Sequence, residues 1–416
     1  MELVHPVPVE ECEPWMAALV TTLLGSPWDD DFRRHVERWR RDWLADHTWG
    51  VQDRGRWVAT LATDPRTLTV PGAPGTTVDI SADALTAVTV AATHRRQGLL
   101  TKMITESLQE AVDRGDPVAV LIAAEWPIYG RFGYAPATRG ADYTLFTRRV
   151  GASVRPDPAG TLRQVEPEEL SKHAAAIFDN ARRRWAGQVD RPGDWWSRRL
   201  GVDNYERMAS GQGTWILHET DGEPDGFLAW KVTRDFELNG EYAEIRVLEF
   251  VSGSDTAYRN LWSYLAALDV IGEVKIHGRS VDEPVRWLLG DGRALKQEYC
   301  GDDTWVRLLD VPAALSARGY ATPGRVVLDV IDDDLGGYAA GRFALDADAT
   351  GAECAPTSDA PDLRLPQRAL ASIYLGDHSL RGLSVAGGIE ELTAGAVARA
   401  DAMFGTALRP WNATMF

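Results

Sequence analysis

Residues 85–136 read LTAVTVAATHRRQGLLTKMITESLQEAVDRGDPVAVLIAAEWPIYGRFGYAP, and this stretch decides the fold. A strand-like run over residues 85–91 leads into Thr-His-Arg-Arg-Gln-Gly, and Gly98 opens a helix expected over residues 98–112. Leu100, Ile104, Leu108 and Ala111 share one face of that helix. A strand-to-helix turn of this kind points free backbone N–H groups at whatever lies in front of it, and the helix dipole favours an anion there. Arg95 and Arg96 add two fixed positive charges, as a diphosphate requires. The unbroken VAVLIAA of residues 118–124 reads as a strand covered on both faces. The aromatic cluster Trp126-Pro127-Ile128-Tyr129-Gly130-Arg131-Phe132-Gly133-Tyr134 follows it.

On the N-terminal side, helices are expected over residues 14–24 and 31–44, the second with Phe32, Val36, Trp39 and Trp43 on one face. Strand-like segments at 57–70 and 78–80 flank PGAPG, a hairpin signal. On the C-terminal side, residues 151–160 have linker composition, and residues 162–300 repeat the order helix, strands, helix, strand. From Trp305 the pattern changes to a smaller α+β unit. A chain of 416 residues exceeds one ordinary core. Three domains are expected, over 1–150, 155–300 and 303–416.

A formal net charge of −17 argues against a nucleic-acid partner and favours cationic small molecules approaching by diffusion. Cys12, Cys300 and Cys354 are far apart and outside any metal-binding spacing, so neither a disulfide framework nor a metal site is expected, and a cytoplasmic setting fits. The apolar run at residues 17–24 is too short to span a bilayer and follows acidic residues, so neither signal peptide nor membrane segment is expected.

The order strand, arginine loop, amphipathic helix, apolar strand, Tyr129 cluster resembles the acetyl-CoA site of the Gcn5-related (GNAT) N-acetyltransferases. The resemblance implies that Arg95, Arg96, Gly98 and Leu99 cradle the pyrophosphate. It further implies that the strand holding Val88 and Val90 pairs with the pantetheine arm, with the Val90 N–H on the thioester carbonyl, and that Tyr129 is the general acid. Leu100 departs from the family pattern, which has a small residue there. A closer likeness is to the enhanced intracellular survival (Eis) aminoglycoside acetyltransferases. It is carried by VAATHRRQGLL, IYGRFGY, RTLTVPG at 66–72, VPAALSARGY at 311–320, GRFAL at 341–345, SIYLG at 372–376 and a final Phe416. This resemblance implies an α/β (α+β) architecture of tandem GNAT folds, mixed sheets flanked by helices, followed by a sterol-carrier-protein-like α+β domain. It also implies that the C-terminal carboxylate of Phe416 is the general base and that the assembly is a homohexamer of two trimers.

The expected reaction is transfer of acetyl from acetyl-CoA, without a metal, to a primary amine of a cationic, aminoglycoside-like molecule. Trp28, Asp29, Trp39 and Glu125 are acceptor-site candidates, because aromatic rings and carboxylates hold a cationic amine. Met415 stands where the mycobacterial enzymes of this type carry a glutamate. Two other readings are open: a protein-lysine or polyamine acetyltransferase, and a lipid-binding carrier with a relic GNAT site. The intact Arg95-Arg96-x-Gly98 loop and Tyr129 argue against the relic.

Overall fold

A long hairpin organises the first sheet. Strand β3 (Arg56–Pro71) and strand β4 (Thr77–Val90) pair along nearly their whole length. They are joined by a turn in which Gly72 N–H donates to Thr76 O at 2.9 Å. Residues 78–80 and 85–91, expected as two strands, are therefore largely one. We describe the chain from a computed structural model covering residues 1–27, 30–151, 155–193, 195–202, 213–236, 242–332 and 334–416. Among these residues β1 (Glu2–Val4), β2 (Thr48–Asp53), β3 and β4 run antiparallel, and β4 pairs in parallel with β5 (Val118–Ile122).

Helix α1 (Cys12–Thr22) and helix α2 (Asp30–Arg41) cover one end of this sheet, and helix α3 (Leu99–Arg114) covers one face. Along β5, Ala119 and Leu121 pack in the core beneath α3, while Val118 and Val120 join a second core with Leu328, Leu363 and Leu370 of the last hundred residues. The apolar run is thus covered on both faces as its sequence predicts. Full burial of each valine is worth about 1.5–3 kcal/mol.

Sheet membership does not follow chain order. Strand β6 (Ala135–Pro136) lies at the edge of the first sheet, but β7 (Arg139–Phe146) pairs with β12 (Ile271–Arg279) and β13 (Leu295–Asp302) in the second sheet. That sheet also holds β8 (Gly160–Val165), β9 (Thr214–Thr220), β10 (Glu223–Arg234) and β11 (Ala243–Ser252), and β11 and β12 repeat the central parallel pair of β4 and β5. Strand β14 (Thr304–Leu308) then returns to the first sheet between β5 and β6. Each sheet therefore carries a strand that leaves the neighbouring stretch of chain. The smaller last unit has a five-stranded sheet, β15 (Gly324–Ile331) to β19 (Glu390–Glu391). Among the described residues no helix is long and apolar enough to cross a membrane.

Residues 186–191 fasten three parts of the chain together. On one side Gly187 N–H donates to Thr69 O at 2.7 Å, Thr69 N–H to Gln188 O at 2.9 Å and Asp190 N–H to Thr67 O at 3.0 Å, so this stretch runs beside β3. On the other side it meets the end of the chain. Trp411 N–H donates to Ala186 O at 3.1 Å, Gln188 Nε2 to Trp411 O at 2.7 Å, Ala413 N–H to Gln188 Oε1 at 3.2 Å and Thr414 Oγ1 to Val189 O at 2.8 Å. Arg191, almost fully buried, donates from Nε to Thr414 Oγ1 at 3.0 Å, from Nη1 to Glu249 Oε2 at 3.0 Å and from Nη2 to Ala413 O. Its guanidinium also stacks over Trp195 at 4.1 Å and Phe178 at 4.3 Å. Burial works against the charge on Glu249, but Arg191 and Arg199 outweigh it and hold its pKa below the ordinary value.

Arg191→Ala removes all three of these donors and leaves Glu249 buried with one fewer partner, so it should lower the unfolding free energy by about 3–5 kcal/mol. Arg325→Ala breaks pairs with Asp346 and Asp359 whose side chains are about half exposed, and should cost under about 1 kcal/mol. Urea denaturation of both variants reads the difference; equal costs would show that the buried cluster does not hold the chain end.

Candidate active site

The site begins at a defect in β4. Between the pairs Thr60↔Thr89 and Ala62↔Thr86 the register slips, leaving Leu61 opposite both Ala87 and Val88. Ala87 adopts a φ of 52°, a left-handed conformation that costs a non-glycine residue about 1–2 kcal/mol. Thr60 Oγ1 donates to Ala87 O at 2.8 Å and helps hold the bulge. A bulge bends its strand. Here β4 pairs with β5 only through residues 82–84 against 118–120, and residues 85–90 make no ladder with β5. Where the two strands part, the backbone of residues 85–90 has no partner on β5.

The arginine loop follows directly, between the end of β4 and the start of α3. Arg95 and Arg96 are exposed, and Arg95 Nε donates to Val90 O at 3.4 Å. Arg96 and Gly98 both have left-handed backbones, with φ of 63° and 78°. Gly98 precedes α3, which starts with no side-chain cap, so the N–H groups of its first turn remain available to a ligand in front of it. Val88, Val90, Leu99 and Tyr129 belong to one packed cluster, so the structure does bring these sequence-selected residues together. Tyr129 ends a short helix, α4 (Trp126–Tyr129), and is 8% exposed. Burial raises its pKa, and the charge of Glu125 adds to the rise. Tyr134 is packed edge-on against Tyr129, with centroids 6.4 Å apart, and burial keeps it protonated more firmly still.

A cavity of about 840 Å³ lies beside the bulge, lined by Trp39, Trp43, Thr63, Thr86, Trp195 and Phe416 among others. Thr86 ties the two features together, since it lines the cavity and precedes the bulged Ala87. Trp39 is therefore both a packing residue of α2 and part of the cavity wall. Asp64 and Asp42 also line the cavity, each already facing an arginine: Asp64 with Arg66 at 2.8 Å and Asp42 with Arg198 at 3.0 Å. Met415 and Phe416 reach this wall because residues 411–414 are fastened to residues 186–191. Glu125 is exposed at the start of α4 and is not among the cavity-lining residues; its described effect is on Tyr129. Trp28 and Asp29 lie outside the described residues. Thr63, Thr86, Trp195 and the Arg191–Glu249–Arg199 cluster carry no local motif that marks them in the sequence.

Comparison with known proteins bears on the family and the fold. Residues 4–137 and 187–308 each match the acetyltransferase (GNAT) domain family, and residues 311–413 match the sterol carrier protein domain family. The chain is 35% identical to an uncharacterized N-acetyltransferase of Streptomyces avermitilis, over 99% of this chain and 98% of that protein. It is 34% identical to the N-acetyltransferase Eis of Mycobacterium bovis, over 81% of this chain and 80% of that one. The crystal structure of Eis1 from Mycobacterium abscessus superposes with a TM-score of 0.85 at 30% identity, covering 100% of both chains. The expected fold therefore holds, as two GNAT domains followed by a sterol-carrier-like domain. The strand that parts from its neighbour, the arginine loop before α3 and the agreement along the whole chain together establish that this protein belongs to the Eis-type N-acetyltransferases of the GNAT superfamily.

Proposed function

We propose that the protein transfers the acetyl group of acetyl-CoA directly to a primary amine of a cationic, aminoglycoside-like small molecule bound in the cavity beside Trp39 and Phe416. The single observation that carries this reading is that the stretch of β4 without a partner on β5, residues 85–90, meets the cavity at Thr86. A donor along the one and an amine in the other then meet at the bulge. Arg95, Arg96 and the N–H groups at Gly98 and Leu99 suit a pyrophosphate: the loop is exposed, positively charged and uncapped. The unladdered backbone at Val88 and Val90 suits the amide groups of the pantetheine arm, with the Val90 N–H directed at the thioester carbonyl.

Tyr129 acts as general acid to the departing thiolate. Its raised pKa keeps the hydroxyl protonated at neutral pH, so it has a proton to give. An amine reaches the cavity mostly as ammonium, its unperturbed pKa being about 10.4. The α-carboxylate of Phe416 faces it as counter-charge and base. A cavity of about 840 Å³ suits a drug-sized acceptor. The tryptophan faces supply cation–π contact, and since Asp42 and Asp64 are shared with arginines, the chain end carries the larger part of the charge recognition. A cytoplasmic setting, with its acetyl-CoA supply, and a hexamer of two trimers belong to the same reading; sedimentation velocity tests the second.

A thiol-release screen over aminoglycosides, polyamines and lysine peptides tests the acceptor class. Turnover should be highest with aminoglycosides, and a preference for lysine peptides would replace the small-molecule reading with a protein substrate. Arg95→Ala combined with Arg96→Ala should raise KM for acetyl-CoA at least about 10-fold with kcat little changed, because charge-assisted phosphate contacts lie remote from the reacting carbon. Tyr129→Phe keeps the ring and should lower kcat by about 10²- to 10⁴-fold with the fold intact. Activity within a few-fold of wild type would make Tyr129 a packing residue.

A further inference from the structure

Behind the cavity wall, two titratable side chains converge on one hydroxyl. Thr63 on β3 lines the cavity, and its Oγ1 is 3.0 Å from Nδ1 of His47, which sits half-buried in the turn before β2. Thr63 lies opposite Leu85 in the hairpin, which makes Asp83 its diagonal neighbour on the same face of the sheet. The Thr63 hydroxyl favours the ionised form of the Asp83 carboxyl. Asp83 is 1% exposed; its Oδ1 takes Arg114 Nη2 at 2.6 Å, and its Oδ2 has no hydrogen bond among the described residues. The ion pair with Arg114 accounts for one oxygen only. It accounts neither for the second nor for a hydroxyl that joins this buried carboxyl to the cavity.

The chemistry leaves a task for such a group. The amine must lose a proton as it attacks, and a terminal carboxylate with an unperturbed pKa of roughly 3.5 is a weak acceptor. Burial pushes Asp83 up to about 7; Arg114 and Thr63 offset part of the rise and Asp116 adds to it, while the buried Tyr134 also feels its charge. His47 is held below its ordinary value by burial and then by Arg114, with Asp64, Asp46 and Asp116 opposing. Its ring is therefore mostly neutral near pH 7, free to donate Nδ1–H to Thr63 and turn the Thr63 proton toward Asp83.

We propose that the acceptor amine's proton leaves the cavity through the Thr63 hydroxyl to Asp83, with His47 orienting that hydroxyl. The proposal rests on the reading of the cavity as the acceptor site, and it leaves Phe416 to hold the ammonium and to take the proton lost before attack. The ammonium first gives one proton by way of the Phe416 carboxylate to water, which frees the lone pair. As the nitrogen then forms its bond to the thioester carbon, its second proton passes to Thr63 Oγ1 and the Thr63 proton passes to the Asp83 carboxylate. The carbon–sulfur bond breaks, and the sulfur takes its proton from Tyr129, which regains one from water. Asp83 later returns its proton through Thr63 to water in the cavity, so each group ends as it began.

The test uses the full chain with its best amine from the screen. Thr63→Val is nearly isosteric and removes the relay; kcat should fall at least about 10-fold, with amine KM and acetyl-CoA affinity within a few-fold of wild type. Thr63→Ser should restore kcat to within about 3-fold. In wild type kcat should rise with pH to a plateau above about 7, as Asp83 ionises, and Asp83→Asn should lose that limb. The relay is overturned if Thr63→Val keeps kcat within about 3-fold and the wild-type pH profile, or if Thr63→Ser is as impaired as Thr63→Val. Should Asp83→Asn not fold, the two Thr63 variants decide alone. Trp39→Ala separates the two readings. If it raises amine KM while the Thr63 variants behave as wild type, the relay fails and the acceptor cavity stands. An unchanged amine KM in Trp39→Ala removes the cavity reading and the relay with it.

Discussion

Residues 186–191 are bonded along both edges, to β3 on one side and to the last residues of the chain on the other. Chain ends are ordinarily the least constrained part of a domain. Here several backbone hydrogen bonds, each worth about 1 kcal/mol net, combine with an arginine that is almost fully buried. Arg191 could not persist there alone. Glu249 on β11 supplies its counter-charge and also takes Arg199, which lines the cavity, at 2.5 Å. The second domain thus contributes to the first domain's pocket as a clamp, through a buried arginine two of whose three hydrogen bonds go to the chain end.

The strand exchange reinforces this arrangement. With β7 built into the second sheet and β14 into the first, separating the two domains would expose unpaired edges in both sheets. The third domain shares a continuous core with the first sheet through Val118, Val120, Val306 and Leu308. A pocket assembled from α2, β3, α5 (Trp195–Arg199) and the chain end needs such fixed relations, because no single domain contains its whole wall.

What could be read in the sequence was local. Arg95, Arg96 and Gly98 form a loop whose chemistry depends on neighbours within a few residues, and Gly98 adopts the left-handed backbone that favours glycine. The strand-like run at 57–70 beside its turn signal and the unbroken apolar run at 118–124 likewise marked β3 and β5. The bulge at Ala87 was not legible, since an alanine in a strand pattern gives no sign of a positive φ that β3 imposes through Thr60. Strand exchange was illegible for a related reason: β7 and β14 are ordinary short apolar strands, and their partners are chosen by tertiary packing. Thr63, His47 and Asp83 are separated in sequence and meet only through hairpin register. Glu125 carried the right chemistry near the right motif, yet a one-turn helix leaves it exposed and outside the cavity lining.

The central claim is that the chain end works inside the pocket as a charged group. Appending a short Gly-Ser extension after Phe416 keeps every side chain and converts the α-carboxylate to an amide, which carries no charge and accepts no proton near neutral pH. The rate of acetyl transfer to the best amine, measured beside the melting temperature and acetyl-CoA affinity, isolates that one change. The account predicts a fall of about 10² or more in rate, with stability and donor binding close to wild type. Full activity in the extended enzyme would contradict it and show that the terminal carboxylate has no part in the reaction.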